Sequence, residues 1–447
     1  MVQGNIHGAD SYFLEEVKFE SPSLIKGASI RLDKITTDID IYENIERPYL
    51  TGNIVFVDSI GFNDTVDING GELITISFRR RDSDFSITKR FRILKTARSV
   101  RNNDNAEVVS LSLVEDIVYD SEAQHISRSF TGTTSTIMSK IVEEYLDKSL
   151  ATLPDVRETG IKVIIPNLTP INALQYLKSR ATTDKGFPYY IYSSLFTDHL
   201  HMADLGTIIS QKEQFKFPFV YSQTRRDAAS DSLIKDIFTI RGYDVANQDN
   251  LIGQMQQGHI GGTHMFFDPF VMKNTRVDFN VVNDVFVPLI KEDLIKPGQG
   301  SFMYSTGSKI NGKPLHQASS KMKTRISASG SYFDGVNAVK SLDEEEVSTD
   351  HKKKIVSESL LYMIKKNPIR VVVPSHAFIE GNENNTIGRI VNLKFFSSDV
   401  NSSKTAKTLD RKKSGQYFIH NCRHILKKEK YEISMTCLKL SNLEEVD

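Results

Sequence analysis

The sequence has no tryptophan, only two cysteines, no long apolar run and no excess of either charge. Cys422 and Cys437 are too few for a disulfide framework, and no CxxC pair is present to begin a zinc site. The chain is expected to fold in a reducing cytosol. No stretch reaches the roughly 18 consecutive apolar residues of a membrane-spanning helix, so stable membrane insertion is not expected. The first residues, Met1 to Phe13, lack a basic region followed by an apolar core, and no secretory signal is read there. Lys+Arg and Asp+Glu both total 56. That balance argues against a protein whose whole surface is a nucleic-acid footprint, and it leaves little long-range repulsion between copies.

What is present is a globular composition, with 39% hydrophobic and 25% charged residues over 447 positions. This length implies two to four domains. The first part reads as β. Tyr49 to Val57 is rich in β-branched residues, and Gly70-Gly71 is a turn ahead of a strand in which Ile74, Ile76 and Phe78 alternate with polar residues. Lys89 to Val100 reads as another strand, with Phe91, Ile93 and Lys95 on one face. The tract from Asn102 to Asn105 is a turn, after which Val109, Leu111 and Leu113 alternate with serines.

The pattern then becomes helical. Thr133 or Thr134 can cap a helix to about Lys148, with Ile137, Ile141, Val142 and Tyr145 on one side. A strand from Ile161 to Ile165 precedes Thr169-Pro170, an N-cap and first-turn proline for a helix to about Arg180. Gly186 to Tyr192 and Leu195 to Leu200 read as short strands, and Ile237 to Tyr243 returns to β. A helix is expected from about Ser348 to Lys365, acidic first and basic last, ended by Pro368.

The last β segment repeats the first. Ile387, Ile390 and Leu393 to Phe396 stand where Leu73 to Phe78 stood. Tyr417 to His424 parallels Phe91 to Arg98, and Ile433, Met435 and Cys437 match Val109, Leu111 and Leu113 in phase. The fold class expected is therefore a β-rich α+β protein with two tube-like antiparallel β-barrel domains. The first spans 1–120, a middle α+β domain spans 121–230, and the second barrel takes 231–264 and 367–447. An insert with a C-terminal helix covers 265–366. A closed trimer of such a chain would present six similar barrels in a ring.

The chain resembles the central baseplate hub proteins of contractile-tailed bacteriophages over nearly its whole length. The resemblance is carried by Pro48 to Asp58, Gly70 to Ile74, Ile164 to Leu174 and Ser414 to His420, together with the domain order. It implies a virion protein of the tail baseplate, made in the host cytoplasm, that forms a homotrimeric pseudo-hexameric ring. Tail tube or tube-initiator proteins would sit above, a central spike protein below, and baseplate wedge proteins around it. The tape measure protein and then DNA would pass through the channel. The alternative is a glycan- or receptor-binding β-module of the tail tip.

No enzyme, cofactor or metal site is expected. Gly307 to Lys313 has the spacing of a phosphate loop, but Pro314 stands where a magnesium-binding hydroxyl belongs, so a surface turn is read. His199 and His201, near Asp204, lack a clear third ligand and read as a polar strand face; His259 and His264 read as loop residues. His420 and His424 read as solvated or structural, and the cysteines as ordinary barrel positions. Arg79 to Arg81 reads as a solvated or inter-subunit cluster, and the runs Asp343 to Glu346 and Lys352 to Lys354 as a solvated helix end.

Overall fold

The computed structural model describes residues 8–439 except 25–27, 60, 63–65, 82, 104–105, 153–160, 184, 222–231, 247–249, 270–271, 296–306, 308, 319–320, 327–343, 380–382, 397–408, 411 and 429. The runs expected at 102–105 and 343–346 therefore lie partly outside the described residues or side chains.

β1 (Tyr12–Glu20) carries the short β2 (Ile30–Arg31) on one edge. β3 (Thr36–Asn44) and β4 (Thr51–Asp58) form a hairpin, and β5 (Leu73–Arg80), β6 (Ser86–Asn103) and β7 (Ala106–Glu115) a meander. They pair antiparallel in the order β1-β5-β6-β7-β4-β3. Strict alternation puts Ile54 and Phe56, Ile74 and Ile76, and Val109 and Leu111 in the core. Lys95 does not join Phe91 and Ile93. A bulge between Ile93 and Lys95 turns Leu94 and Lys95 outward.

The middle segment has its own core. The helices Asp116–Glu122, Thr134–Leu146 and Pro170–Arg180 pack with β8 (Ile126–Gly132), β9 (Leu150–Thr152), β10 (Ile161–Leu168), β11 (Tyr189–Ser193) and β12 (Leu200–Asp204) around Ile137, Ile141, Leu174 and Leu177. β8 pairs with β10, and β12 lies between β11 and β9. Thr133 caps its helix through its side chain, accepting from the Thr136 N–H at 3.2 Å. Thr169 is an N-cap without a side-chain cap bond, and Ser121 Oγ instead accepts from the Ile171 N–H at 3.1 Å. Leu195 to Leu200 is a turn and not a strand, buried at Leu195 to Thr197 and exposed at Asp198, with only Leu200 entering β12.

β13 (Phe219–Tyr221), β14 (Thr239–Ile240) and β15 (Gly242–Val245) follow. Then β16 (Gly261–Asp268) and β17 (Lys273–Asn280) form a hairpin, and β18 (Lys309–Ile310) and β19 (Lys313–Pro314) a smaller one. β20 (Lys321–Ile326) adds parallel to β16. Gly262 is required here, because a Cβ would stand 2.3 Å from the Lys321 carbonyl oxygen. The helix Glu344–Ile364 covers this sheet, and Arg325 on β20 grips Glu358 with two bonds of 2.7 and 2.6 Å.

β21 (Ile369–Pro374), β22 (Ile390–Lys394), β23 (Gly415–Lys427) and β24 (Lys430–Leu438) complete the chain. Their pairing order, β13-β22-β23-β24-β21-β15, repeats β1-β5-β6-β7-β4-β3 in both chain and sheet order, except that β13 runs parallel to β22 where β1 is antiparallel to β5. The later set returns on itself, since β13 also pairs parallel with β14, which runs straight into β15. The earlier set is completed by strands of the later one. β3 pairs with β23, and Ser11 bridges to Lys430 beside β24. Arg241 clasps this bridge through Asp10 at 2.9 Å and through Glu432. Among the described residues the result is one mainly antiparallel 14-stranded sheet with helices and three smaller sheets beyond that of β8 and β10.

At the closure Tyr12, Phe78 and Tyr431 pack edge to face, with ring centroids 5.5 to 6.5 Å apart. Removing the central ring should therefore loosen strands from both ends of the chain. Phe78→Ala is expected to lower unfolding stability by ~3–5 kcal/mol in urea titration. A loss under ~1 kcal/mol would mean the closure is not packed as described.

Candidate functional site at the joint of the strand sets

The two strand sets meet on β23. Its first residues, Gly415 to Phe418, pair with β22, and Asn421 to Lys427 pair with β3 along the same edge. The opposite edge runs along β24 from Phe418 to Lys427. The change of partner falls at His420, the extra residue of a bulge between Ile419 and Asn421, whose carbonyl accepts from the Ile45 N–H at 3.1 Å.

Beneath the joint, Glu43 of β3 and His424 of β23 are both fully buried and approach to 3.2 Å. Glu43 Oε1 also accepts from the Leu195 N–H at 2.6 Å and from Ser194 Oγ at 3.3 Å, so the middle segment is tied in at the same point. The Tyr431 hydroxyl meets His424 Nδ1 at 2.8 Å. Burial opposes the Glu43 charge, but His424 and the Leu195 N–H hold its carboxyl below the usual range.

A second cluster lies on the turn after β3. Glu46 meets His420 Nε2 at 3.5 Å and the Lys365 ammonium, and its carbonyl accepts from Gln175 at 3.1 Å and Lys178 at 3.0 Å. The helix Pro170–Arg180 and the end of the helix Glu344–Ile364 are thereby pinned to the joint. The hydrogen bond from His420, against burial and with help from Lys365, draws the Glu46 carboxyl down to about 2. Burial pushes Lys178 down to about 8. These two clusters hold three segments in register and bring together no nucleophile with an activating base. Both cysteine thiols are buried and pushed up by that burial.

The sequence-predicted residues fall as follows. His201 is buried and not part of a polar strand face. Its Nε2 lies 2.8 Å from Thr197 Oγ1 and its ring stacks on Tyr192, because β11 and β12 are covered on both sides. Asp204 turns away to cap the helix Leu205–Ile209, accepting from the Thr207 N–H at 3.0 Å. His264 is no loop residue. It sits within β16, wholly buried against Phe279, and His259 is buried just before that strand. His420 and His424 are the two histidines of the joint. Asn311 and Gly312, both at positive φ, make a tight hairpin turn of the supposed phosphate loop. Arg79 pairs with Glu15 at 2.9 Å, and Arg81 donates to the Tyr12 carbonyl at 3.2 Å within the chain. Lys352 pairs with Asp284 at 2.8 Å. Glu43, the centre of the joint, carries no sequence signal, since its partners lie far along the chain. Among the described residues, no three His, Cys, Asp or Glu side chains group as a metal-binding set.

Acid should act on these buried groups in order. His201, lowered by burial from 6.5 to about 4, contributes stability above 6.5 that is lost as pH falls toward about 4. Glu46, lowered from 4.5, contributes stability above 4.5 that is lost as pH falls toward about 2. Urea midpoints between pH 7 and pH 2 are expected to decline in both windows, and Glu46→Gln to flatten the lower one. An equally steep lower limb in that variant would remove Glu46 from the account.

The sequence matches no family model and no curated protein. Solved structures do match. The prophage MuSo2 43 kDa tail protein from Shewanella oneidensis shares 11% identity at a TM-score of 0.53, covering 96% of this chain and 99% of that one. A tail protein from Neisseria meningitidis MC58 gives 11% identity and a TM-score of 0.48, with 96% and 97% covered. The E. coli c3393 protein, a type VI secretion system component with structural similarity to T4 bacteriophage tail proteins gp27 and gp5, gives 7% and 0.44, with 96% and 77% covered. The first of these carries the fold assignment. The chain therefore has the fold of a phage tail protein, the fold that its sequence resemblance to the contractile-tail baseplate hubs implies.

Proposed function

We propose that the chain is the structural hub of a phage tail baseplate. One observation carries this reading: the same six-strand order occurs twice in one chain. Three copies in a closed ring would set six alike strand sets around an axis, and such a ring can meet a six-fold tube on one face and a three-fold spike on the other. Each set would act as a tube-like β-barrel, the first at 1–120 and the second at 231–264 and 367–447. The middle domain would be 121–230 and the insert 265–366, with β13 and the α–β stretch before β17 crossing those limits. The role is mechanical, with no reaction assigned to the chain.

The proposed partners are a tail tube or tube-initiator protein above, a spike protein below and wedge proteins around, in the virion tail baseplate. The tape measure protein and the genome would pass through the ring. Synthesis would take place in the host cytoplasm. No described helix is long and apolar enough to cross a membrane. Exposed apolar side chains such as Ile164, Met272, Met322 and Ile326 give faces that subunit contact would cover.

Light scattering of the purified chain, with negative-stain images of the same sample, tests the reading. A trimer appearing as a pseudo-six-fold ring with an open centre is expected. A chain that stays monomeric alone and when co-expressed with the spike protein would overturn it, and glycan binding would then be the function to measure.

A further inference from the structure

The outer face of the joint, with Glu43 at its base, is a trough of about 430 Å³. Strand alternation builds it. Asn44, Asn421, Thr436 and Arg370 follow one another across β3, β23, β24 and β21, and Tyr42, Arg423 and Ser434 form the next row. Its floor is thus mostly neutral amide and hydroxyl groups, and its charged lining residues are Arg47, Arg370, Arg423 and the buried Glu43. Arg423 is already satisfied. It holds Asp40 with two bonds of 3.0 and 2.8 Å and lies 5.7 Å from the Tyr42 ring centroid. Arg47 and Arg370 line the same trough and are exposed. Among the described residues, neither side chain has an ion pair or hydrogen bond.

We infer that this trough binds an acidic polypeptide segment of a partner. The planar guanidinium fork suits carboxylates, and two unpaired forks outnumber the one lining carboxylate, Glu43, which is buried and already accepts from the Leu195 N–H, so a local positive excess remains in a chain of zero net charge. The amides and hydroxyls between them both donate and accept, as a peptide main chain needs. The volume falls within the ~300–1,000 Å³ of ordinary ligand pockets, room for more than one side chain. A nucleic-acid strand would call for a longer basic track beside its stacking rings; Tyr42 and Tyr49 line the trough, but it offers two free cations and no track. The site does not depend on the ring proposed above.

The test is fluorescence anisotropy of a labelled hexaglutamate peptide with the full chain, at low and at high salt, with oligothymidylate of equal length as competitor. Saturable, salt-sensitive binding is expected, weakened at least tenfold by Arg47→Gln with Arg370→Gln and unchanged by Lys321→Gln on the remote sheet. If the double variant fails to fold, the single charge reversal Arg370→Glu should give the same loss. Three results would overturn the inference: no saturable binding, binding indifferent to the arginines, or oligothymidylate displacing the peptide at equal concentration. A chain that stays monomeric alone and with the spike protein, yet binds the peptide, would keep this site and lose the hub reading.

Discussion

Both edges of the β23–β24 hairpin are divided between two sets of strands, and the rest of the molecule depends on that division. Backbone N–H and C=O groups along a strand must find partners, and an edge can serve one neighbour per stretch of residues. The bulge at His420 solves this by ending one pairing and aiming the chain at the next. A buried carboxylate and imidazole beneath the bulge then set the position of the strands. Such a pair contributes little net stability by itself, but removing one partner strands the other in a dry interior. The joint is therefore a registry device that ties β3, β23 and the turn at Leu195 to one point.

The hairpins β6–β7 and β23–β24 were legible from the alternation in β7 and β24, while the bulges at Ile93 and His420 in their partner strands were not. So were the helices that begin at Thr133 and Pro170, whose caps and apolar stripes are local. Strands of two or three residues, β13 and β14, offer too few positions for any period to emerge. The parallel partnership of β16 with β20 joins residues far apart in sequence, and Gly262 marks it only once the close approach is known. Leu195 to Leu200 has strand-like composition, yet Glu43 takes the Leu195 N–H and holds the segment in a turn. His201 and His264 look like polar residues until the layers above them are placed. The joint itself was invisible, because Glu43 and His424 are related only by the fold.

Charge is handled in the same economical way. The balance of acidic and basic residues leaves no global field, so each local charge is decided by its neighbours. Arg423 is neutralised by Asp40, and Arg241 by Asp10 and Glu432, at places where strands from opposite ends of the chain touch. Arg47 and Arg370 stand on the same joint with no such neighbour among the described residues. These ion pairs mark seams between distant strands, and Arg47 and Arg370 are the unmatched cations beside them.

The Arg423–Asp40 pair spans 383 positions of sequence. Strands made early in translation wait for a hairpin made near the end before their circuit is complete. Loop closure over such a distance is slow, and open strand edges meanwhile invite other chains. A nascent copy is therefore exposed to its siblings for most of its own synthesis, and the timing of translation, as much as the final packing, governs whether a copy closes upon itself or upon its neighbour.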